Sequence, residues 1–253
     1  MSFTDRTILV TGAASGIGLA TARHLAAAGA ARLVLVDRDA EALVRLTFDC
    51  TVDLLPGDVA DEAFWDSAAP FLGRLDHAVI NAGVAGAGAI ARLEFAEWRR
   101  IMAVNLDGAF LTLRAAMRAI MAGDAARGGS IVAVASAAGI KAEPGIAAYA
   151  ASKAGLIQLV RVAAKEGAPD RIRVNAIAPA GVETPVWDSV PMFADRAAAI
   201  GRDAAFAELA ALATPLGRYA SAEEVARQVA FMLSDDAALM TGSVLLVDGG
   251  YTL

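Results

Sequence analysis

Cysteine, histidine and long uncharged runs are all scarce in this sequence of 253 residues. Cys50 is the single cysteine, so no intrachain disulfide can form and a cysteine-based metal site is excluded. The two histidines, His24 and His77, are far apart and have no metal-ligand spacing around them, so we expect no metal. Basic residues number 22 against 28 acidic ones, and no basic block occurs. This balance argues against nucleic acid as a partner.

A membrane-spanning run is also lacking, although hydrophobic residues make up 57% of the chain. No stretch of about 18 residues is apolar and uncharged enough to cross a bilayer. The nearest candidate, residues 7–22, is interrupted by glycines and follows Asp5 and Arg6 rather than a basic leader. We therefore expect no membrane association, no signal peptide and a cytoplasmic location.

What the chain does contain is a regular alternation of short apolar runs and helical patterns. Strands are predicted at 7–11, 32–36, 52–55, 75–80, 130–135, 171–177 and 244–247. Helices are predicted at 19–28, 40–46, 62–69, 95–121, 147–166 and 186–213, and from a capping box at Ser221 and Glu224 to Leu233. A polar turn is predicted at 124–129. Without repeats or linkers, this order predicts one α/β domain over 1–253, with a doubly wound (Rossmann), mostly parallel sheet and helices on both faces.

Small residues connect the first strand to the first helix. The turn contains Gly12, Ser15, Gly16, Ile17 and Gly18. A strand, a glycine turn and a helix form the context in which a dinucleotide pyrophosphate binds at a helix N-terminus. Gly12 permits the tight turn, Gly16 allows close approach to phosphate, and Gly18 lets the helix pack on the strand. A glycine triplet alone is weak evidence, because small residues also serve ordinary turns.

An acid follows the second predicted strand, nineteen residues after Gly18. Asp37 is placed to accept hydrogen bonds from the adenosine ribose hydroxyls. It also fits an N-cap of the helix at 40–46, and both functions are compatible. Its charge would repel the 2′-phosphate of NADP, although Arg38 would offset part of that repulsion. The predicted cofactor is therefore NAD.

A hydroxyl, a phenol and an ammonium are the candidate catalytic groups. On one helix at 147–166, Tyr149 and Lys153 are four residues apart and project side by side. A cation about 4 Å away, at a dielectric near 20, supplies roughly the 4 kcal/mol that would bring a phenol pKa from about 10 to near 7. Ser136 follows the strand at 130–135, where open α/β sheets bind ligands. Taken alone, the Tyr-Lys spacing is better explained as an ordinary pair on a helix surface, and only the other motifs of the chain favour a catalytic function.

Two further segments suggest a function. Asn105 interrupts the helical pattern at 95–121 and is a poor helix former, so it is either solvent-facing or functional. Its apolar neighbours Val104 and Leu106 favour a buried function. The segment at 186–213 follows a strand end and contains aromatic and methionine side chains. It is predicted to be a lid over an apolar or cyclic substrate.

In combination and in order, these motifs resemble the short-chain dehydrogenase/reductase family along nearly the whole chain. They are Thr11-Gly12-x-x-x-Gly16-Ile17-Gly18, Asn81-Ala82-Gly83, Asn105, Ser136, Tyr149-x-x-x-Lys153 and Val247-Asp248-Gly249-Gly250. The resemblance implies that Tyr149 is the general acid/base and that Lys153 lowers its pKa and holds the nicotinamide ribose. It also implies that Ser136 orients the substrate oxygen and that Asn105 holds a proton-relay water.

Further cofactor contacts follow from the same resemblance. They are Asp58 and Val59 beside the adenine, Asn81, Ala82 and Gly83 along the cofactor, and Pro179, Gly181, Val182 and Thr184 on the nicotinamide side. The sequence departs from the family pattern twice. Ile80 replaces an asparagine, and Ala180 stands where glycine usually follows the proline. Because alanine tolerates positive φ poorly, we expect the loop after Pro179 to be slightly reshaped.

The function predicted first is an NAD-dependent oxidoreductase that interconverts a secondary alcohol and a ketone. The alternatives are an NADPH-dependent ketone or 3-oxoacyl reductase and a nucleotide-binding sensor that has lost its chemistry. Retention of Ser136, Tyr149 and Lys153 disfavours the sensor. The helices at 95–121 and 147–166 carry Ala and Leu on more than one face, and the family resemblance implies that they pair between subunits, so a homotetramer is expected.

Overall fold

Seven parallel strands form the centre of the molecule in a computed structural model that describes residues 1–123 and 127–253. Residues 124–126 of the predicted polar turn lie outside the described residues. The strands are β1 Thr7–Thr11, β2 Arg32–Asp37, β3 Thr51–Pro56, β4 His77–Ile80, β5 Gly129–Val134, β6 Ile172–Pro179 and β7 Val244–Val247. They lie in the order β3-β2-β1-β4-β5-β6-β7. Each of the seven predicted strands is therefore present.

Helices connect the strands across both faces of the sheet. In the described residues they are α1 Gly16–Ala27, α2 Ala40–Val44, α3 Glu62–Leu72, α4 Phe95–Met102, α5 Gly108–Met121, α6 Ala147–Gly167, α7 Pro191–Ile200, α8 Arg202–Ala213 and α9 Ala222–Leu233. Parallel strands require such crossover connections, because a tight hairpin can join only antiparallel neighbours. The doubly wound architecture predicted from the alternating pattern is confirmed.

Two hydrophobic cores lie on opposite faces of the sheet. Leu9 packs with residues of α3, α5 and α6, whereas its neighbours Ile8 and Val10 pack with residues of α1 and α9. Successive side chains of a strand point to opposite faces, so a strand buried on both sides has to be apolar throughout. This requirement explains why the strands could be recognised as continuous apolar runs.

The strand order reverses direction at β1, which lies between β2 and β4. From β1 the chain first builds outward through β2 and β3, and then crosses back to β4. At such a switch point the connections leave the carboxyl ends of adjacent strands in opposite directions and open a crevice. The motifs that follow β1, β4, β5 and β6 all lie at this edge.

The helix predicted at 95–121 is two helices joined by a π-helical turn. The turn spans Ala103–Asp107 and contains Asn105, which is only 1% exposed. The helical segment predicted at 95–121 is confirmed, and so is the buried position of Asn105, whereas the π-helical turn within the segment was not predicted. A π-turn within a helix often marks a functional position.

The segment predicted as one helical lid at 186–213 has a core of its own. A 3₁₀ turn at Pro185–Ser189 precedes α7 and α8, which meet at Gly201 with a φ of +88°. The rings of Phe193 and Phe206 lie 4.4 Å apart, and Trp187 stacks on Tyr219 at 5.6 Å. These aromatic side chains pack mainly on one another, whereas Met192 is 63% exposed.

In the part of the chain that the structure describes, no helix has both the length and the apolar character needed to cross a membrane.

The predicted capping box at the start of α9 is confirmed. The Ser221 hydroxyl accepts a hydrogen bond from the Glu224 N–H, and the Glu224 carboxylate accepts one from the Ser221 N–H. Both interactions satisfy donors that a helix start leaves unpaired.

Ser221→Ala should therefore lower the free energy of unfolding by about 1 kcal/mol, because the hydroxyl acceptor is lost. Chemical denaturation measures this value. Ser67→Ala is the control, because Ser67 is exposed and its hydroxyl only donates to the Phe64 carbonyl within α3. Equal destabilisation by both substitutions would contradict the capping assignment.

Candidate active site

The glycine turn after β1 leaves the start of α1 open to an anion. Gly12 and Gly16 adopt φ values of +64° and +53°, and α1 begins at Gly16. The N-cap residue Ser15 makes no side-chain capping hydrogen bond, and no acidic residue lies in the first turn. The first N–H groups of a helix otherwise need an external acceptor, which a phosphate supplies.

The approach of α1 to β1 depends on Gly18. A Cβ atom at Gly18 would lie 2.0 Å from the carbonyl oxygen of Gly12, which is backbone and cannot move aside cheaply. A Cβ atom at Gly12 would lie 2.7 Å from Asn81 Nδ2. The packing function predicted for Gly18 is thus confirmed by geometry.

Asp37 belongs to the glycine turn rather than to a helix cap. Its Oδ2 accepts a hydrogen bond from the Ala14 N–H at 2.9 Å, and its Oδ1 accepts one from the Asp39 N–H at 3.0 Å. The N-cap of α2 is Asp39, whose Oδ1 accepts from the Ala42 N–H. The alternative that Asp37 caps this helix was therefore wrong. Asp37 is half-buried beside the turn, and Arg38 is exposed.

A clasp of hydrogen bonds joins the carboxyl ends of β1 and β4. The Thr11 hydroxyl accepts from the N–H groups of Asn81 and Ala82 at 3.1 and 3.2 Å. In return, the Asn81 side-chain amide donates to the carbonyls of Thr11 and Gly12 at 3.0 and 3.1 Å. This Thr11–Asn81 clasp fixes the Asn81-Ala82-Gly83 segment directly beside the glycine turn.

The residues after β3 form one wall of the crevice. Val59 is buried and packs so closely on Gly108 that a Cβ there would lie 2.8 Å from Val59 Cγ2. Asp58 is exposed, and its carboxylate accepts from the Ala60 N–H. The contact of Asp58 and Val59 with an adenine stays a prediction.

Gly83 lies next to two of the predicted catalytic residues. A Cβ atom on Gly83 would be 3.4 Å from Asn105 Oδ1 and 3.5 Å from Lys153 Nζ. Asn105 accepts from the Val84 N–H at 2.8 Å and donates to the Val84 carbonyl and to the Ser152 hydroxyl. Both of its N–H donors are thereby used. A relay water would therefore have to donate a hydrogen bond to a carbonyl oxygen of Asn105.

Ser136, Tyr149 and Lys153 converge at the end of β5. The Ser136 hydroxyl donates to the Pro179 carbonyl at 3.4 Å and accepts from the Ala138 N–H. Lys153 Nζ donates to the Val134 carbonyl at 2.8 Å and lies 5.8 Å from the centre of the Tyr149 ring. The helix thus presents the phenol and the ammonium side by side, as their spacing predicted.

Burial controls the ionisation of this group. Burial raises the pKa of Tyr149 above its usual value, and a hydrogen bond with Ser136 acts in the opposite direction. Burial also lowers the pKa of Lys153 to about 8. The expected lowering of the Tyr149 pKa by a cation about 4 Å away is therefore not what this structure shows. The cost of removing charge from water outweighs the attraction between the two groups.

The loop after β6 packs against the glycine turn. Gly181 faces the Tyr219 ring so closely that a Cβ would lie 2.3 Å from it. Thr184 is buried, with its Cβ 3.3 Å from the position a Cβ would take on Gly16. Val182 is also buried, and its carbonyl accepts from the Trp187 indole N–H.

Neither departure from the family pattern disturbs the backbone. Ala180 is not among the described residues with positive φ, and its N–H donates to the Val247 carbonyl. The strain expected from alanine at this position is therefore absent. Ile80 is 2% exposed and packs in the core around Leu9.

Three residues with structural functions at the site were not predicted as such. Thr11 forms the clasp described above, and Ser152 bridges Asn105 to the Tyr149 carbonyl. Arg202 donates to the Thr184 carbonyl and stacks over Phe193 and Phe206. Thr11 begins the glycine-turn motif and Ser152 lies next to Lys153, whereas nothing in the sequence pointed to Arg202.

Comparison with known proteins shows that the chain is similar to dehydrogenases and reductases. A family model described as enoyl-(acyl carrier protein) reductase matches residues 12–252. The cis-4-hydroxycyclohexanecarboxylate dehydrogenase of Sinomonas cyclohexanicum is 40% identical, with 99% of this chain and 98% of the relative covered. The 3-oxoacyl-(acyl-carrier-protein) reductase FabG of Thermotoga maritima is 34% identical, with both chains fully covered.

A solved structure agrees over nearly the whole chain. The carveol dehydrogenase from Mycobacterium avium in complex with NAD superposes with a TM-score of 0.89 at 29% identity, with 98% of each chain covered. The chain belongs to the short-chain dehydrogenase/reductase family, and it is an oxidoreductase of that family.

The buried ammonium leads to a stability prediction. Moving a lysine pKa from 10.5 to about 8 corresponds to roughly 3 kcal/mol of unfavourable free energy for the charged form. Lys153→Met should therefore raise the free energy of unfolding at pH 7 by about 1 to 3 kcal/mol. The stabilisation lost with the hydrogen bond from Lys153 to the Val134 carbonyl is to be subtracted from this gain. Between pH 8 and 10.5 the unfolded chain binds more protons, so wild-type stability rises and the advantage of the variant shrinks.

Denaturant unfolding at pH 7 and at pH 10 measures both effects. Lys165→Met is the control, because Lys165 is exposed near the end of the same helix. A Lys153→Met variant less stable than wild type at pH 7 would show that the ammonium is not held at a cost.

Proposed function

We propose that this protein is an NAD-dependent dehydrogenase that interconverts a secondary alcohol and a ketone. The observation that carries the proposal is the convergence of Ser136, Tyr149 and Lys153 beside Gly83, at the edge of the sheet where the glycine turn opens. Proton-transferring groups next to a dinucleotide turn are what such a reaction needs.

The cofactor fits the residues that would hold it. The uncapped start of α1 would receive the pyrophosphate, Asp37 the adenosine ribose, and Asp58 and Val59 the adenine. On the nicotinamide side the residues are Asn81, Ala82, Gly83, Pro179, Gly181, Val182 and Thr184. When bound, NAD accepts or returns the hydride. All other steps belong to side chains of this protein.

Those side chains divide the proton transfer between them. Ser136 orients the substrate oxygen by hydrogen bonding, and Tyr149 exchanges a proton with that oxygen. Lys153 stabilises the phenolate and binds the nicotinamide ribose, and the buried surroundings strengthen its field. Asn105 holds the loop at Val84 and the relay water. A nucleotide sensor would require none of these groups.

Cyclic secondary alcohols are the proposed substrates. Two of the relatives reported above are named for hydroxycyclohexanecarboxylate and for carveol. The segment at 186–213 offers an apolar cover of suitable composition, in which Trp187 contacts the loop after β6 and Met192 is exposed. Reduction of a 3-oxoacyl group with NADPH is the second candidate, favoured by the likeness to FabG and by the exposed Arg38 beside Asp37.

We further propose a cytoplasmic homotetramer. Phe95 on α4 is 70% exposed, Phe110 on α5 is 46% exposed, and Val162 on α6 is 44% exposed. Large apolar side chains exposed on neighbouring helices are typical of surfaces that another subunit covers. Light scattering at micromolar concentration reports the assembly directly.

The proposed chemistry is tested by Tyr149→Phe, which keeps the ring and deletes the hydroxyl. Turnover of a cyclic secondary alcohol with NAD, followed by the absorbance of the reduced cofactor, should fall by about 10² to 10⁴. NAD binding should change little, because Gly16, Asp37 and Lys153 remain. In the wild type, oxidation should accelerate as pH rises through the ionisation of Tyr149, since the phenolate accepts the proton, and ketone reduction should slow.

Lys153→Met should move that inflection to higher pH and weaken NAD binding. Wild type and Lys165→Met serve as controls; Tyr251→Phe is unsuitable, because Lys141 lies over the Tyr251 ring. Turnover by Tyr149→Phe at the wild-type rate would exclude Tyr149 as the acid/base.

Cofactor choice is tested by Asp37→Asn. Like charges near 4 Å cost about 1 to 4 kcal/mol for dielectric constants between 80 and 20, so the wild type should prefer NAD over NADP by tenfold to several hundredfold. The amide keeps an oxygen for the Ala14 N–H but removes the charge, so the preference should fall at least tenfold. Asp39→Asn is the matched control two residues away. Equal kcat/KM values of the wild type for NAD and NADP would overturn the assignment.

The lid is tested by hydrogen exchange over residues 186–213. If this segment closes over the substrate, its amides should exchange more slowly with cofactor and substrate bound together than with cofactor alone. Exchange in α9 serves as the internal reference. Unchanged exchange in 186–213 would mean that the aromatic cluster is fixed packing.

A further inference from the structure

A second cavity lies at the opposite edge of the sheet from the active site. It has a volume of about 350 Å³ and opens between the amino ends of β4, β5 and β6. Four arginines and a histidine contribute to its wall, against one carboxylate. These residues are Arg6, Arg127, Arg171, Arg173, His77 and Asp235. A positive concavity on a chain with a net charge of -6 is unexpected.

The acids nearby do not neutralise these arginines. Asp76 is buried behind the wall and lies 3.5 Å from Arg6, 3.1 Å from Arg127 and 4.0 Å from Arg74. One carboxylate therefore serves three guanidinium groups. Arg127 also donates to the Asp5 carbonyl, which leaves further N–H groups of its fork unused.

Arg173, in contrast, is a structural residue. Its guanidinium donates to the carbonyls of Met232, Leu233, Ser234 and Met240. It satisfies the last carbonyls of α9 and adds positive charge to the cavity wall. The arginines free to contact a ligand directly are therefore Arg6 and Arg127.

The His77 ring lines this cavity, and its Nε2 makes no hydrogen bond with another described residue. Its side chain is 7% exposed, and its Nδ1 lies 2.7 Å from the Ser130 hydroxyl. That hydroxyl donates its only proton to the Leu233 carbonyl, so Nδ1 must carry the proton that Ser130 accepts. In the neutral ring Nε2 is consequently an acceptor, and it becomes a donor only when the imidazole is protonated.

We propose that this cavity binds a small tetrahedral oxyanion, either inorganic phosphate or the phosphate of a monoester, through Arg6, Arg127 and protonated His77. Guanidinium forks match the oxygens of such an anion, and a protonated imidazole adds a third charged donor. Binding is coupled to proton uptake at His77. The anion raises the affinity of the ring for its proton, and protonation raises the affinity for the anion equally.

The charged groups around the imidazole ring and its burial determine the pKa of His77 before an anion binds. Burial first, and then Arg6, lower the pKa of His77 to about 4, so the ring is neutral at pH 7. The charged groups facing it are Arg6, Asp76, Arg173 and Asp235, with Arg127 and Arg171 across the cavity. A divalent anion next to Nε2 would counteract the positive charge of the arginines and favour the protonated ring.

Proton NMR of the imidazoles tests the proposal, because the chain has only two histidines. The edge-on ring of Phe3, 5.6 Å from His77, helps to separate the two signals. Sulfate is the probe, since its charge is constant across the titration, with chloride at equal ionic strength as reference. NAD is kept saturating so that the glycine turn is occupied.

With sulfate bound we expect the His77 pKa to rise by about two units and that of His24 to stay unchanged. By linkage, sulfate should then bind about tenfold more tightly at pH 5 than at pH 7. Displacement of sulfate by inorganic phosphate and by glycerol 3-phosphate shows whether the cavity binds the free anion or the phosphate monoester more tightly.

Arg127→Gln should weaken sulfate binding at least tenfold while leaving dehydrogenase activity unchanged. Arg114→Gln is the matched control, because Arg114 is similarly exposed and pairs with Glu62 away from the cavity. The proposal is overturned if sulfate leaves His77 unchanged, if His24 responds equally, or if Arg114→Gln weakens binding as much as Arg127→Gln.

Discussion

The clasp between Thr11 and Asn81 is the interaction on which the candidate site most depends. Four hydrogen bonds tie the end of β4 to the end of β1 at the point where the strand order reverses. Both ends must stay together for the glycine turn to lie beside Gly83. Since Gly83 in turn lies next to Asn105 and Lys153, the clasp connects the glycine turn with these two side chains.

A second constraint is the burial of charge. Lys153 is 4% exposed, with the Val134 carbonyl as its hydrogen-bond acceptor. A buried ammonium lowers the stability of the folded protein, and proteins retain one where it serves a reaction. The reason is that a charge acts more strongly on neighbouring groups in a medium of low dielectric constant than in water. The same burial raises the pKa of Tyr149. Burial thus disfavours the charged form of both side chains, the phenolate of Tyr149 and the ammonium of Lys153.

The sheet was predictable because its strands are buried on both faces and therefore read as continuous apolar runs. Local spacing was likewise sufficient for Tyr149 and Lys153, which share one helix. What depends on distant contacts was missed. The π-turn at Asn105 accompanies hydrogen bonds to Val84 and Ser152, which are far away in sequence. The function of Asp37 in holding the turn at Ala14, and the effect of burial on Tyr149, also follow from tertiary packing alone.

The central claim is that hydride moves between the carbinol carbon of a secondary alcohol and NAD while Tyr149 takes the hydroxyl proton. The most direct measurement uses a cyclic secondary alcohol deuterated at the carbinol carbon, with mass spectrometry of the reduced cofactor. The account predicts one deuterium in each reduced NAD formed, together with an equal amount of ketone, and a turnover that Tyr149→Phe lowers by about 10² to 10⁴. Reduced NAD without deuterium, or ketone formed without reduced NAD, would contradict it.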